Sequence, residues 1–475
     1  MQRQSRRRKG GKENGMKQKK KVPHSFVIVF CMIIAAVLLT WLIPAGEYIR
    51  SANENGVVMI QPDSYRRVEG KPASLLKIPF YIVSGFTENV SLVLVLLFSG
   101  GAFRLAEKTG ALSALIQTIA YRLRSRRYLL LVMLTAAFAV VCSNQAIQIF
   151  IPFAPVLAMA AIALGFDSIT GIAVLILGGG IGFSTGTLRT TTTLVAQNIA
   201  QLPPYSGLWF RAISMACFLA VTCPLLCLYA RRVAADPQRS PMYVADRTRK
   251  WKLGGEPARL TGCQIAVLSV VGGFICLMVG GSIGLGWNIS DIAGVFIWMA
   301  IAVGAVWRMP VNEICREFVQ GAADMLPAAI LTGMGTSISV VFKEAGIIDS
   351  IVNGLSCCVI RVPDVLRGAV LYLVNTVINV FITSGTAQAA VVMPIFVPLS
   401  DMMGITRQTC VLAYNFGDGF SNYVLPTSSA LMGVLGAANV PYGSWMKFMG
   451  KIFCIWVVLS CVLTSAAQYI HLGPH

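Results

Sequence analysis

Two stretches of the chain decide its fold: residues 182–193 read GFSTGTLRTTTT, and residues 419–429 read GFSNYVLPTSS. An offset of 237 residues carries the first stretch onto the second, and it also pairs Pro204-Tyr205 with Pro441-Tyr442. Each stretch interrupts an apolar segment with glycine, hydroxyl groups or proline. Such interruptions at corresponding places in two halves of a membrane protein indicate a solute-binding site. The sequence therefore predicts two copies of a broken membrane helix.

The bulk composition is that of a membrane protein. Hydrophobic residues make up 56% of the chain, charged residues only 12%, and the mean hydropathy is +0.70. Average soluble domains are about a quarter charged. The net charge of +19 does not indicate a nucleic-acid partner, because the basic residues form a few blocks beside apolar runs and so report topology. We therefore expect an all-α integral membrane protein surrounded by lipid.

Charge and hydropathy divide the chain into two membrane halves. Residues 1–24 form a basic tail before an apolar run long enough to span, which favours a cytoplasmic tail over a cleaved signal peptide. We predict a first membrane half over residues 25–230 and a second over residues 261–475. The linker between them, residues 231–260, holds eight Lys and Arg against three Asp and Glu, so it is predicted to be cytoplasmic.

Each half is predicted to hold one re-entrant hairpin and one broken helix. Counting apolar runs gives about ten membrane-spanning helices plus the two hairpins, with the N-terminus cytoplasmic and the C-terminus outside. The hairpins are predicted over about residues 143–165 and 384–403, and the broken helices over about residues 168–200 and 408–436. The spans that lead into the two copies run in opposite directions, which makes the repeats inverted. Ordinary kinked spans, whose Ser and Thr side chains bond back to the helix, are the alternative.

The candidate substrate-binding residues lie at the hairpin tips and helix breaks. Polar groups are expensive in hydrocarbon, so they persist there when they line a cavity or are covered by protein. The first tip and break contribute Ser143, Asn144, Gln145, Thr187, Arg189 and Thr190. The second tip and break contribute Ser384, Gly385, Thr386, Asn422, Thr427 and Ser428.

Two charged residues carry the sharper hypotheses. The guanidinium of Arg189 matches a carboxylate bidentately, so we expect it to hold an acidic group of the substrate. Pairing with Asp418 in the absence of substrate, or a position at the membrane interface, are the alternatives. Asp418 is an intramembrane carboxylate, and with Thr185 and Asn415 it is predicted to form a coupling site for Na⁺ or H⁺. A structural ion pair is the alternative for Asp418. No cofactor and no other metal is expected.

Enzyme and pump chemistry find no support in the sequence. Residues 182–186 match the G-x-S-x-G nucleophile motif, but no histidine lies between His24 and His471 to serve as its base. The 13 cysteines are scattered without CxxC spacing, which is typical of small buried hydrophobic residues. No Walker motif is present. We therefore predict that the chain is neither an enzyme nor a primary pump.

The chain also resembles a known family at several places. The resemblance lies in Trp41-Leu42-Ile43-Pro44-Ala45-Gly46-Glu47, in Ala196-Gln197-Asn198-Ile199-Ala200, in Phe416-Gly417-Asp418-Gly419-Phe420 and in Leu425-Pro426-Thr427-Ser428. At these residues it resembles the YfcC/DcuC-type carriers of the ion transporter superfamily. The resemblance implies scaffold and transport regions that move as an elevator, within a homodimer in the bacterial inner membrane. It also implies C4-dicarboxylates, or basic amino acids exchanged by antiport, as substrates.

The sequence departs from this family pattern at two places. Gln145-Ala146-Ile147-Gln148 stands where relatives tend to carry paired glutamates, and Leu188-Arg189 stands where they tend to carry Asn-Pro. Fewer acids and an added cation favour an anionic or zwitterionic small molecule. We predict a secondary active transporter, a symporter or an exchanger, for a carboxylate-bearing metabolite. The alternative is a membrane solute receptor or an uncoupled carrier derived from such a transporter.

Overall fold

The computed structural model describes residues 25–52, 58–60, 64–122, 124–189, 192–248, 260–356 and 362–473. The predicted basic tail of residues 1–24 and residues 249–259 of the predicted linker lie outside these ranges. The strands in the described part are two short antiparallel pairs near the start of the chain. Strand β1 (Gly46–Glu47) pairs with β4 (Arg66–Arg67), and β2 (Arg50–Ala52) pairs with β3 (Val58–Ile60).

Most of the rest of the described chain is helical, as its composition predicts. The helices before the linker are α1 (Ser25–Leu42), α2 (Ile78–Glu88), α3 (Val90–Lys108), α4 (Ala111–Arg122), α5 (Arg127–Cys142), α6 (Ala154–Ala163), α7 (Ser168–Thr185), α8 (Thr193–Ile199) and α9 (Leu208–Ala235). A 3-10 helix, Ile147–Phe153, precedes α6. The short helix α10 (Tyr243–Thr248) lies in the linker.

The described chain after the linker holds nine further α-helices. Its helices are α11 (Gly262–Gly284), α12 (Ile289–Val306), α13 (Val311–Glu344), α14 (Ile348–Ser356), α15 (Asp364–Phe381), α16 (Gly385–Met402), α17 (Arg407–Ser421), α18 (Ser429–Ala437) and α19 (Tyr442–Tyr469). Among the described residues, seven helices are long and apolar enough to cross a membrane, namely α3, α7, α9, α12, α13, α15 and α19. The chain is therefore an all-α multi-pass membrane protein, and the count of about ten spans stays a prediction.

Helix α13 lies antiparallel along α2 and α3. Lys77 is 3.1 Å from Glu344 at one end of this pair, and Lys108 is 2.5 Å from Glu313 at the other. Between these ion pairs α3 and α13 cross at Gly100 and Gly321, where a Cβ on either glycine would overlap the carbonyl oxygen of the other. Small residues of this kind let two membrane helices approach closely. Helices α1 and α12 pack against the same pair, and we call α1–α3 and α11–α13 the frame.

The chain forms two helix–turn–helix units, and in each unit the start of the first helix lies beside the end of the second. In the first, Nη1 of Arg127 at the start of α5 donates a hydrogen bond of 3.0 Å to the carbonyl of Leu164 beyond α6. In the second, Nη1 of Arg367 near the start of α15 donates one of 2.5 Å to the carbonyl of Met403 beyond α16. The first leg of each unit, α5 or α15, therefore lies before the residues that the sequence predicts for the hairpin. In the sequence only the polar clusters mark the turns. The apolar legs on either side of each cluster look like ordinary membrane spans.

Two broken helices cross each other beside these units. Helix α7 ends at Thr185, the C-cap residue Gly186 has a left-handed φ of 60°, and α8 begins only at Thr193. Helix α17 ends at Ser421, and α18 begins at Ser429. The two cross where Gly419 meets Ser184, and a Cβ at Gly419 would overlap the Ser184 backbone. Both interruptions therefore lie close to one crossing point.

The close approach of α3 and α13 gives a test of the frame. We expect Gly321→Ala to lower the unfolding temperature in detergent, because the added Cβ would meet the Gly100 carbonyl and Arg104. Overpacking of this kind costs roughly 1–3 kcal/mol. Gly450→Ala is the matched control, since that glycine in α19 has nothing within 4 Å of an added Cβ. Alanine is favoured over glycine in a helix by about 1 kcal/mol. Equal stability of the two variants would contradict the packing described.

Candidate functional site

The two turns, the two breaks and the frame enclose a cavity of about 680 Å³. Residues 144–149 come from the first turn, and residues 383–386 come from the second. The breaks contribute Phe183, Arg189, Thr192, Asn422, Tyr423, Ser428, Ser429 and Ala430. The frame supplies the opposite wall through Glu88, Asn89, Gly286, Trp287, Asn288, Ile289, Thr336 and Ser339. The cavity is thus lined on one side by parts of both repeats and on the other by the frame.

Eight of the candidate residues from the sequence line this cavity. They are Asn144, Gln145, Arg189, Ser384, Gly385, Thr386, Asn422 and Ser428. The predicted residue Thr190 lies outside the described residues. Ser143, Thr185, Thr187, Asn415, Asp418 and Thr427 are described and lie behind the lining.

Several of the residues behind the lining form hydrogen bonds with neighbouring protein groups. The hydroxyl of Ser143 donates to the carbonyl of Val140 at 2.7 Å, and that of Thr185 donates to Ile181 at 2.9 Å. The hydroxyls of Thr185 and Thr187 are 3.2 Å apart. Asn415 accepts a hydrogen bond of 3.2 Å from Thr193, which joins α17 to the start of α8. These contacts hold the breaks and turns in place.

Arg189 is a buried cation in the cavity wall. Its side chain is only 6% exposed, and Nη1 donates a hydrogen bond of 3.2 Å to the carbonyl of Asn144 in the first turn. The guanidinium carbon lies 4.7 Å from the centre of the Phe183 ring. Its Nε has no hydrogen-bond partner, and Arg189 forms no ion pair with a described carboxylate. The alternative of pairing with Asp418 is therefore wrong for this conformation.

Two helix N-termini add to the positive character of the cavity. Helix α16 begins at Gly385 without a side-chain cap, and α18 begins at Ser429 after the N-cap residue Ser428. The first residues of both helices line the cavity. The first turn of a helix has unpaired N–H groups and carries partial positive charge, which favours an anion. Arg189 and these N-termini together make the cavity suited to an acidic group.

Asp418 lies just behind the cavity wall. It is 1% exposed, and its Oδ1 has no hydrogen-bond partner. A Cβ added at Gly385 would lie 2.5 Å from its Oδ2 and 2.9 Å from a methyl group of Thr192. Gly385 and Thr192 both line the cavity, so they separate the carboxylate from it. A buried carboxylate with an unpaired oxygen is costly in a low-dielectric interior, and such groups in membrane helices are usually functional.

Sequence reasoning missed three buried amides close to Asp418. Asn375 and Asn379 lie one turn apart on α15, and Gln388 lies one turn into α16. All three side chains have no exposed surface. Asn375 and Asn379 stand four residues apart in a mostly apolar run, which places them on one helix face. That spacing was the signal that could have found them. The frame residues of the cavity carried no such signal.

An all-α multi-pass membrane protein with a polar cavity between two broken helices has the construction of a solute transporter. The chain belongs to the C4-dicarboxylate anaerobic carrier family, DcuC, whose family model matches residues 22–469. This membership places it among the transporters, and it agrees with the resemblance found in the sequence.

The relatives share most of their length with this chain. A protein of Escherichia coli strain K12, provisionally named basic amino acid antiporter YfcC, is 28% identical over 94% of this chain and 96% of its own. A Haemophilus influenzae protein without an assigned function is 24% identical over 93% and 96%. The solved structure of MtrF, a Neisseria gonorrhoeae antimetabolite efflux pump, superimposes with a TM-score of 0.43 at 18% identity, over 96% of each chain.

The close contact at the second turn gives a test of the site. We expect Gly385→Ala to displace the Asp418 carboxylate and to lower the unfolding temperature, although alanine favours helices. Gly262→Ala is the matched control, because Gly262 is also the first residue of its helix and has nothing within 4 Å of an added Cβ. Thermal unfolding of the two purified variants measures the difference. A Gly385→Ala protein as stable as the Gly262→Ala protein would mean that α16 does not press against Asp418.

Proposed function

We propose that this protein is a secondary active transporter of a small carboxylate-bearing metabolite, a C4-dicarboxylate or an amino acid. The observation that carries the proposal is Arg189, a buried guanidinium in a cavity wall that has a free Nε and no carboxylate partner. A buried cation without a counter-ion is expensive. A substrate carboxylate would supply the missing charge and would accept the free donors in a bidentate arrangement.

The rest of the cavity suits a short polar solute. The N-termini of α16 and α18 offer further N–H groups to an acid, and the tips contribute Asn144, Gln145 and Ser384 as hydrogen-bonding partners. A volume of about 680 Å³ holds a small metabolite together with water. A purely cationic substrate fits less well. The carboxylate Glu88 also lines the cavity, but it lies 3.7 Å from Lys343.

Alternating access would follow from movement of the repeats against the frame. In this proposal the units α5–α6 and α15–α16 are re-entrant hairpins, and they move with the broken helices α7–α8 and α17–α18 as the transport region of an elevator. The frame would stay fixed and form the contact between two subunits of a homodimer in the bacterial inner membrane. Asp418 would bind a coupling cation, Na⁺ or H⁺, unless transport is an exchange of two solutes.

The proposed orientation makes the cavity open outward. The basic residues of the linker and the N-terminal tail favour the cytoplasm, so the connection between α11 and α12 would lie outside. Trp287 and Asn288 in that connection, and Asn89 between α2 and α3, line the cavity. The cavity would therefore receive solute from the outer side, and the C-terminus would also lie outside.

Substitution of Arg189 tests the substrate class. We expect Arg189→Gln to raise the half-saturating concentration for carboxylate uptake into proteoliposomes by roughly 10- to 100-fold, because a charge-assisted bidentate bond is lost. Arg189→Lys is expected to recover part of the loss, since it keeps the charge without the planar fork. Uptake of radiolabelled dicarboxylates and amino acids measures both variants.

The matched control is Arg211→Gln. Arg211 is 2% exposed and also has unpaired guanidinium nitrogens, but it does not line the cavity. We expect its loss to leave the half-saturating concentration nearly unchanged in protein that remains folded. If Arg189→Gln transports acidic solutes as well as the unsubstituted protein does, or if both arginine variants lose affinity equally, the proposed substrate contact is wrong.

Cysteine labelling tests the proposed orientation. In a background with the native cysteines replaced by serine, we expect Ser384→Cys to react with a membrane-impermeant thiol reagent added outside the cell. Thr185→Cys, behind the cavity lining, is the control and is expected to stay unmodified. The proposed orientation would be wrong if Ser384→Cys did not react with reagent added outside the cell but did react in inverted vesicles, where the cytoplasmic side faces the reagent.

A further inference from the structure

Two arginine side chains converge on one tyrosine ring where α5 begins and α9 ends. The guanidinium carbon of Arg127 lies 5.2 Å from the centre of the Tyr128 ring, and that of Arg231 lies 5.3 Å from the same centre. Arg127 also lies 5.1 Å from the centre of the Phe166 ring. A ring face attracts a cation, but it supplies no opposite charge. The fold therefore brings two like charges together at this place.

Neither arginine is balanced by a carboxylate. Within the described part of the chain, Arg127 and Arg231 form no ion pair. Residues 122–166 and 208–235, which include α5, α6 and α9, contain no Asp or Glu. The exposed guanidinium of Arg231 also has no hydrogen bond to another described residue, so its N–H donors are free.

The two acids that border these segments are already engaged. The Asp167 carboxylate accepts hydrogen bonds of 2.6 Å from the hydroxyls of both Tyr229 and Ser240. The carboxylate of Asp236 lies 3.2 Å from Nε of Arg239. The described chain therefore offers no counter-ion to the two arginines at the start of α5 and the end of α9.

The equivalent arginine of the second half is neutralised. Arg367 near the start of α15 and Arg127 at the start of α5 each donate to the carbonyl at the end of the other leg. Arg367 is in addition 3.1 Å from the carboxylate of Asp364, three residues before it. The residue three before Arg127 is a further cation, Arg124. The two units thus share one contact, but the first unit has an excess of positive charge there.

Apolar surface lies beside the two guanidinium groups. Sγ of Cys227 is 4.0 Å from the carbonyl of Tyr128, so α9 and the first turn of α5 are neighbours. One or two turns further along the spans, Leu129 and Met133 on α5 and Leu228 on α9 are each about half exposed. Tyrosine is enriched where a span leaves the hydrocarbon, and arginine is enriched at its cytoplasmic end. A cationic end above exposed apolar side chains matches the two parts of a phospholipid.

We propose that Arg127 and Arg231 bind the phosphate of an anionic phospholipid between α5 and α9. Guanidinium groups bind phosphate oxygens through paired N–H donors, and basic pockets between membrane helices bind lipid headgroups on the cytoplasmic side. The acyl chains would lie against Leu129, Met133 and Leu228, a surface that free phosphate would leave unused. Helix α5 leads into the first turn and α9 follows the first break. The lipid would therefore join the two ends of the first repeat, whatever solute is transported.

Lipid added to delipidated protein in detergent tests the site. We expect dioleoylphosphatidylglycerol to raise the unfolding temperature more than dioleoylphosphatidylcholine, which has the same chains without the net charge, because a ligand of the folded state stabilises it. Arg231→Gln is expected to raise the half-saturating concentration of the anionic lipid by about 5- to 10-fold. Arg231→Lys keeps the charge and is expected to recover part of this loss. Native mass spectrometry of the same samples measures the retained lipid.

Arg239→Gln is the matched control. Arg239 is also an exposed arginine beyond the end of α9, but its charge is already paired with Asp236. We expect this variant to bind the anionic lipid as the unsubstituted protein does. Equal losses in Arg231→Gln and Arg239→Gln would overturn the site, because they would indicate attraction to the basic surface as a whole.

Inorganic phosphate distinguishes a lipid headgroup from a free anion. We expect millimolar phosphate, compared with chloride at the same ionic strength, to leave the unfolding temperature of the delipidated protein unchanged. Stabilisation by phosphate as large as that by phosphatidylglycerol would overturn the assignment to a lipid. Equal stabilisation by the two phospholipids would also overturn it, since the unpaired charges of Arg127 and Arg231 would then have no role.

Discussion

The structure depends on one constraint, which is that backbone N–H and C=O groups in hydrocarbon must be paired. A continuous helix meets this requirement by itself, but the two turns and two breaks of this chain do not. Backbone groups near these turns and breaks form hydrogen bonds with side chains from neighbouring helices. Asn379 donates to the carbonyl of Asp418, and the Tyr414 hydroxyl donates to that of Gly385 at 2.6 Å. The polar residues around the cavity are therefore structural as well as chemical.

The two halves meet this requirement with equivalent contacts at the bases of their helix–turn–helix units. Arg127 binds the carbonyl of Leu164, and Arg367 binds that of Met403. These carbonyls lie at helix C-termini, where a cation also interacts favourably with the helix dipole. A guanidinium there joins the two legs. The sequence between them carries no charge in the first unit and only Asp401, near the end of α16, in the second. The repeat is thus visible in side-chain contacts as well as in the order of helices.

Local sequence predicted the helical membrane class and the places where polar groups enter the apolar segments. Gly186 and the hydroxyl-rich run after it cannot continue a packed span, and their chemistry is evident without a structure. Local sequence did not predict that α5 pairs with the segment that follows its turn. That pairing is shown by the contact from Arg127 to Leu164, which joins residues far apart in sequence. The amides of α15 were missed for a similar reason. Their significance comes from α17, which only the fold brings beside them.

The coupled transport proposed for this protein depends on the separation of its two central charges. If Arg189 and Asp418 formed an ion pair, each would satisfy the other and neither would need a ligand. Here Arg189 is held toward Asn144 of the first turn, while Asp418 lies behind Gly385 of the second. In the proposed function each charge binds a different guest, an anion in the cavity at Arg189 and a cation behind it at Asp418. The two guests would then neutralise the region together, and loading of only one would leave a buried charge uncompensated, which disfavours movement of the half-loaded site across the membrane.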